Sequence, residues 1–502
     1  MVAISAAPEA DAPVQPGAAP PPKTSLWTRL TYGLGAGAIG VKDNGFSFFL
    51  LMFYSQVVGL DARLVGLALT VALVVDAFVD PIVGYWSDNV RSRWGRRHPF
   101  MYASAIPLAG LYFLLWNPPH HWPQGQLFAY LLGMAVLIRL FVSLYQVPSQ
   151  ALMAELSQDY DERSTLLSFR FFFSWGIGNG MAVLMFAVLF PLFTTATIHN
   201  GQFNRESYRV YGLIASGLLF ALVMISALGT HSRIPHLKPP PAQRRLTVVK
   251  VFQEIFETLS NRSFIVLFIA TALGTVAAGL AAPLAFYWLT YFWHFTPQQS
   301  SLVLIGVFAS AFIGSSLAPV VTRRLGKKRG AIVVGLVAFL GSPMPIVLRL
   351  AGILPDNGSP LIFWFVFFTN MFDVALIITF QILSYSMIAD LVEQSEIKTG
   401  RRSEGVFASA QTFTEKVVNG LGLMMAGFLL NLAGIKTGAD ASHVSPAAVW
   451  RLGAIYVPTI LTLWMTMVAV IGGYAITRDS HAANLRTLAA RESLGPDGQP
   501  LE

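Results

Sequence analysis

Residues 64–100 read LVGLALTVALVVDAFVDPIVGYWSDNVRSRWGRRHPF, and this stretch decides the fold. Its first part is an apolar run long enough to cross a bilayer as a helix, yet Asp76 and Asp80 sit near its middle. A spacing of four puts both carboxylates on one helical face, about a turn apart. A carboxylate in hydrocarbon costs roughly 2.5–3.5 kcal/mol even on the lenient insertion scale. Two on one stripe therefore face a cavity, a cation or a basic partner. A helix–helix ion pair that only holds a bundle together is the plainer alternative. The second part is a short loop carrying Arg91, Arg93, Arg96 and Arg97, the basic signature of a cytoplasmic loop.

The rest of the chain repeats the pattern. Of its 502 residues 54% are hydrophobic and 12% charged, far from a soluble globular composition. Many windows of about 20 residues are almost free of charge, which implies a polytopic α-helical membrane protein. Cysteine is absent, excluding disulfides and thiolate metal sites. A net charge of +8 suggests nucleic acid only until the helices are placed, because most Lys and Arg then fall in alternate loops. Twelve spans are expected, roughly 31–57, 63–87, 98–116, 126–154, 166–193, 208–230, 263–293, 299–322, 329–350, 359–391, 404–433 and 448–476. Basic clusters follow spans two, six, eight and ten, while the loops after spans three and seven contain no Lys or Arg. An even number of spans then leaves both termini cytoplasmic.

The expected organisation is a disordered, Ala/Pro-rich N-terminus (1–26), a six-helix half (27–230), a linker (231–262), a second six-helix half (263–476) and a cytoplasmic tail (477–502). The linker holds Pro239-Pro240-Pro241 and the segment VVKVFQEIFETL, which could lie on the membrane surface as an amphipathic helix. The N-terminus lacks the apolar core of a signal peptide. Span two runs into GYWSDNVRSRWGRR and span eight into APVVTRRLGKKRG, so Arg323, Arg324, Lys327 and Lys328 occupy the place in the second half that the Arg91–Arg97 cluster has in the first. A parallel repeat of six spans is how major facilitator transporters are built, with the substrate site at the midplane between halves. Gly84, Asp88, Gly95, Arg96 and Arg97 resemble the fixed positions of that superfamily's loop motif.

Polar residues inside the spans mark the site to be expected. Lys42 and Asp43 follow the Gly-rich GLGAGAIG; they differ by about 100° around the helix, so one could pair with Asp76 or Asp80 while the other faces the cavity. A mutual ion pair is the plainer reading. Span four contains Arg139 and then YQVPSQALMAEL, where Gln146 and Gln150 lie four apart and can offer amides to one ligand. Arg170 follows in SFRFFFSW and is either a site residue or an interfacial snorkeller. Asp373 and Gln381 lie in span ten, whose end MIADLVEQSEIKTGRR carries Glu393 and Glu396 as gate contacts at the cytoplasmic mouth. Span eleven reads QTFTEKVVNGLG, with Glu415 and Lys416 among apolar residues. His120-His121 reads as solvated rather than metal-binding, and Trp288, Trp293 and Trp364 as interface belt and packing.

KDNGF in span one, DAFVDP in span two, the SRWGRR loop, VPSQAL, SFRFF and ADLVE in order resemble the glycoside–pentoside–hexuronide cation symporters of the melibiose permease type, over roughly residues 27–476. The loop is also similar to that of plant sucrose symporters, and the span-four motif to that of lysophosphatidylcholine symporters. The resemblance implies that Asp76 and Asp80 are cation-site carboxylates, with Ser143 as a neighbouring oxygen and H⁺ or Na⁺ as the coupling ion. It implies that Asp43 accepts from a sugar hydroxyl with Lys42 beside it, and that Arg170, Gln411, Thr412 and Lys416 are site positions. Departures bear on specificity. Val79 stands where relatives carry an Asn, Gln146 where they carry a sugar-binding Asp, and Gln150 and Gln381 where two tryptophans border the sugar. The sugar specificity of the family's reference member is therefore not inherited.

The expected protein is a monomeric, non-enzymatic symporter with no cofactor and no catalytic residue. Its partners are the bilayer of a bacterial inner membrane and a small sugar or glycoside, without nucleic acid. A lysolipid or amphipath symporter on the same fold is the alternative, and a membrane sensor or enzyme a remote one.

Overall fold

The computed structural model describes residues 24–157, 160–236, 262–399, 404–435 and 444–474. The expected linker helix, most of the N-terminus and the tail lie outside them. Among the described residues every regular element is helical. In chain order the spans are α1 (26–58), α2 (Ala62–Asn89), α3 (His98–Leu115), α4 (Gln124–Leu156), α5 (160–192) and α6 (Arg205–His231), then α7 (262–292), α8 (Pro297–Leu325), α9 (Lys327–Leu350), α10 (Pro360–Thr399), α11 (Glu404–Ala433) and α12 (Pro446–Ile471). Eleven of these helices are long and apolar enough to cross a membrane. The remaining one, α1, falls short on composition because it spends its length on glycines, Lys42 and Asp43; it is nonetheless helical from Leu26 through Val58.

Those glycines have a packing function. On α1, Gly33 lies against Phe169 of α5, and Gly40 against the Ser174 backbone and Gly178, so the two helices touch backbone to backbone. The start of α1 is pinned by Glu162, whose carboxylate accepts from the Thr24 backbone N–H (2.6 Å), the Thr24 hydroxyl, Arg29 (3.1 Å) and Ser157 (2.5 Å). Further along, α1 widens twice into π-type turns, at Gly45–Phe49 and Phe53–Val58. Similar turns widen α5 at Met185–Leu189 and α7 at Trp288–Phe292. Extra backbone girth of this kind gathers at functional sites. Here it falls where the two halves meet.

That meeting place is the end of the bundle away from the 90–97 loop. Phe286 of α7 enters a nest of Phe49 and Phe186, with ring centroids 4.9 and 4.6 Å away. Beyond it Ser55 and Tyr287 share a hydrogen bond of 2.7 Å, and the Thr290 hydroxyl donates to Gln202 at 2.9 Å. Trp288 and Trp293 are buried beside this seal, so they pack rather than form a belt; Trp364 is exposed. A second seam joins α2 to α11. The Thr70 hydroxyl reaches the Gly420 carbonyl at 2.6 Å, and a Cβ on Gly66 would come within 2.9 Å of the Leu423 carbonyl. From the closed end a cavity of about 780 Å³ runs between the halves, its walls extending to Leu267, Ser384 and Ile471 near the basic-loop end.

The loop-end charges are satisfied within each half. Arg97 bonds Asp88 (2.5 Å), Ser87 (2.8 Å) and Glu155 (3.0 Å), and Arg96 joins it on Glu155 at 2.6 Å. The turn between them needs a left-handed residue, and Gly95 supplies φ +71°. Lys328 donates to the Tyr474 carbonyl at 2.7 Å, drawing the end of α12 to the start of α9. Arg91, Arg323 and Arg324 are exposed. The side chains of Glu393 and Glu396 lie outside the described residues.

Because the α2–α11 seam relies on bare backbone, Gly66→Val is expected to wedge it open. With no native cysteine, a Ser55→Cys reporter at the fully buried seal position is readable. Thiol labelling should be slow in the parent and several-fold faster with Gly66→Val; equal rates would mean the seam does not hold this end shut.

Candidate functional site

Two pairs of residues with helical spacing face each other across α2 and α4. Asp76 and Asp80 are one turn apart on α2; Arg139 and Ser143 are one turn apart on α4. The Ser143 hydroxyl lies 2.9 Å from Asp76 Oδ1 and 2.6 Å from Asp80 Oδ1, and it has a single hydrogen to give. Asp76 Oδ2 accepts from Arg139 at 3.2 Å and pairs with Lys416 of α11 at 2.8 Å. The Lys416 ammonium also bonds Asp80 Oδ2. Two carboxylates, one guanidinium and one ammonium make a neutral set. Asp76 and Arg139 are 4% and 7% exposed, which only such neutralisation makes affordable.

The sequence places Asp76, Asp80 and Ser143 together, and so does the structure. It adds two members. Lys416 was expected among the substrate contacts; it lines the cavity, and its flexible stem also carries the ammonium from the second half onto both acids of the first. Arg139 carried no expected role. The available signal was its position four residues before Ser143, which puts both on one face. Glu155, the anchor of the loop arginines, was likewise missed; an acid at the loop end of span four beside a basic loop was its signal.

The other expected site residues divide. Lys42 and Asp43 both line the cavity and pair with each other, so the ammonium bends back to its neighbour rather than reaching Asp76 or Asp80. Gln146, Asp373 and Gln381 line the same cavity. The α9 break at Ser342-Pro343 places Ser342 on the same cavity wall as Asp373, whose Oδ1 is buried with no hydrogen-bond partner among the described residues. Gln150 is exposed and is not among the lining residues. Arg170 is buried outside the cavity, donating to Ser149 at 2.9 Å with its guanidinium 5.1 Å from the Tyr32 ring centre; it ties α5 to α4 and α1 instead of snorkelling. The side chains of Gln411 and Thr412 lie outside the described residues. Among the described residues no group of three or more His, Cys, Asp and Glu is arranged to hold a metal.

Among the described residues, twelve long helices in two halves around a central cavity define a secondary transporter of the major facilitator fold. The chain belongs to the family described as MFS/sugar transport protein, whose pattern matches residues 31–478. It is 27% identical to an uncharacterized symporter, sll1374, of Synechocystis sp., over 94% of this chain and 98% of that one. It is 22% identical to the isoprimeverose transporter of Lactiplantibacillus pentosus, over 86% and 85% of the two chains. Among solved structures the D-xylose–proton symporter superposes with a TM-score of 0.55 at 16% identity, covering 88% of this chain and 97% of that one.

If Lys416 serves the acid pair, removing it leaves two carboxylates with one cation. Lys416→Met is expected to destabilise the protein by about 3 kcal/mol, the lower end for a broken buried pair, because Lys416 and Asp80 keep 19% and 24% side-chain exposure. Adding Asp80→Asn should recover more than half of the lost thermal stability in detergent. Simply additive losses would mean the two side chains are not coupled.

Proposed function

We propose that this protein carries a sugar or glycoside across a bacterial inner membrane in symport with a cation, the proton in particular, as a monomer with both termini cytoplasmic. The cluster of Asp76, Asp80, Ser143 and Lys416 carries the reading. It joins the two halves at the cavity, and it can exchange a bound cation for a built-in one.

The proton is favoured by donor counting. Three oxygens of Asp76, Ser143 and Asp80 lie in a row within hydrogen-bond distance, yet the hydroxyl supplies one hydrogen for two contacts. When Lys416 withdraws, a proton on Asp80 completes the row. A sodium ion needs several free oxygens in one cage, and Val79 supplies none at the neighbouring position.

In the transport cycle Lys416 and the coupling cation are alternatives on the same acids. Lys416 neutralises them in the unloaded state and bridges the halves; a cation that replaces it frees the halves to rock about the site. Substrate binds in the cavity between Lys42, Asp43 and Gln146 on one wall and Asp373 and Gln381 on the other. Cation and substrate then strengthen each other's binding, and linkage makes that effect reciprocal. With the basic loops cytoplasmic, the state described opens to the cytoplasm.

Proteoliposomes test this directly. Labelled sugars screened under an imposed pH gradient without sodium should reveal an accumulated substrate. Asp76→Asn or Asp80→Asn should abolish uphill accumulation while sparing substrate exchange, which needs binding and rocking but no net cation movement. Accumulation that requires sodium and ignores the pH gradient would remove the proton from the reading; undiminished accumulation by both variants would remove the site.

Orientation is tested separately. A reporter fused after Arg97 or Lys327 should read cytoplasmic, and one near His120 or Asp356 periplasmic. Opposite readings at any two of these positions would break the assignment.

A further inference from the structure

Arg139 is a permanent charge at the heart of the cluster. Its guanidinium donates to Asp76 Oδ2 at 3.2 Å and lies 5.2 Å from the centre of the Phe46 ring of α1. The side chain is buried, and its Nε has no hydrogen-bond partner among the described residues. A guanidinium is a permanent cation, and this one lies on the cavity wall beside Asp76. Arg139 and both acids belong to the same half, so it stays beside them in the unloaded and the loaded state alike, unlike Lys416, which comes from the other half.

The consequence concerns metal cations. Asp76 Oδ2 is held by Arg139 and Lys416, and Asp76 Oδ1 by Ser143. Departure of Lys416 leaves Asp80 with no contact but the shared Ser143 hydroxyl, while Asp76 keeps its guanidinium partner as well. A metal ion bridging the two acids would sit about 4 Å from the guanidinium, where like-charge repulsion at a protein dielectric is enough for roughly a thousandfold loss of affinity. It would also find at most one unengaged carboxylate. Resting on the coupling role given above to Asp76 and Asp80, we propose that Arg139 is the specificity residue that denies this site to sodium, leaving Asp80 as the single carboxylate a coupling ion can reach.

The test needs no transported substrate, so its outcome is separable from that of the uptake experiment. Full-length protein in detergent is titrated with sodium chloride against choline chloride at constant ionic strength and pH, read by calorimetry and by the unfolding midpoint. The native chain and Arg139→Lys should show no sodium-specific signal. Arg139→Gln, or Arg139→Met, should bind sodium at least tenfold more tightly than the native chain, and Asp80→Asn in that background should remove the binding. Sodium binding by the native chain equal to that of the neutral variants would overturn the proposal, as would a monodisperse, fully helical Arg139→Gln protein blind to sodium. Should neither neutral variant fold, the native titration decides. Sodium binding that Asp80→Asn abolishes overturns the proposal, and its absence upholds it.

Discussion

Two carboxylates one turn apart on α2 have to be neutralised inside a bilayer, and much of the arrangement around them follows from that. Each would cost several kcal/mol alone in hydrocarbon, and together they repel. Arg139 and Ser143 bring α4 against α2 on one side, while Lys416 brings α11 from the other half. The α2–α11 contact this requires is possible because Gly66, Gly420 and Gly427 let the backbones approach. The polar pairing and the glycine seam are thus two parts of one constraint. Acids in the centre of α2 demand a cation from α11, and the cation arrives only if nothing bulky stands between the helices.

The same division of labour recurs at the ends of the bundle. Away from the basic loops, closure comes from aromatic packing around Phe286 and a few neutral hydrogen bonds such as Ser55–Tyr287. Such contacts are individually weak, about 0.5–1.5 kcal/mol for an aromatic pair and a similar net amount for a hydrogen bond. At the loop end Arg96 and Arg97 are held by Asp88 and Glu155 of their own half. The ionic contacts described at the loop end stay within one half, whereas Lys416 on Asp76 and Asp80 links the two halves by charge.

The spans were legible because hydrocarbon imposes about 20 apolar residues on each helix. Asp76, Asp80 and Ser143 were legible because helical spacing fixes which residues share a face. What spacing does not fix is the partner across a helix boundary. Lys416 lines the cavity and reaches the acid pair as well, and that second contact depends on the packing of α11 on α2. For Lys42 and Asp43, about 100° apart on the helix, spacing left open both divergence and a mutual ion pair, and the four-carbon stem folds back to make the pair. Arg170 looked like a ligand or a snorkeller; Tyr32 and Ser149, from two other helices, make it a packing residue. In each case backbone geometry was right and side-chain reach was unreadable. The hydropathy of α1 fails for a different reason, since close helix contact favours glycine over the apolar bulk that hydropathy measures.

Charge conservation ties the proposed coupling to the substrate. As described, the four groups of the cluster sum to zero. A proton that settles on Asp80 leaves Lys416 with one acceptor fewer and turns its ammonium toward the cavity. That state is unfavourable unless something in the cavity accepts from the ammonium. Sugar hydroxyls and ring oxygens are acceptors of the right kind, whereas an apolar molecule offers none. Under this reading the proton prepares the cavity by creating an unsatisfied donor, and the substrate is the group that satisfies it. Proton without substrate leaves the ammonium one acceptor short, and substrate without proton finds the lysine already engaged. Neither half-loaded form is favoured, so a leak of either species down its own gradient is opposed by the same side chain that bridges the halves.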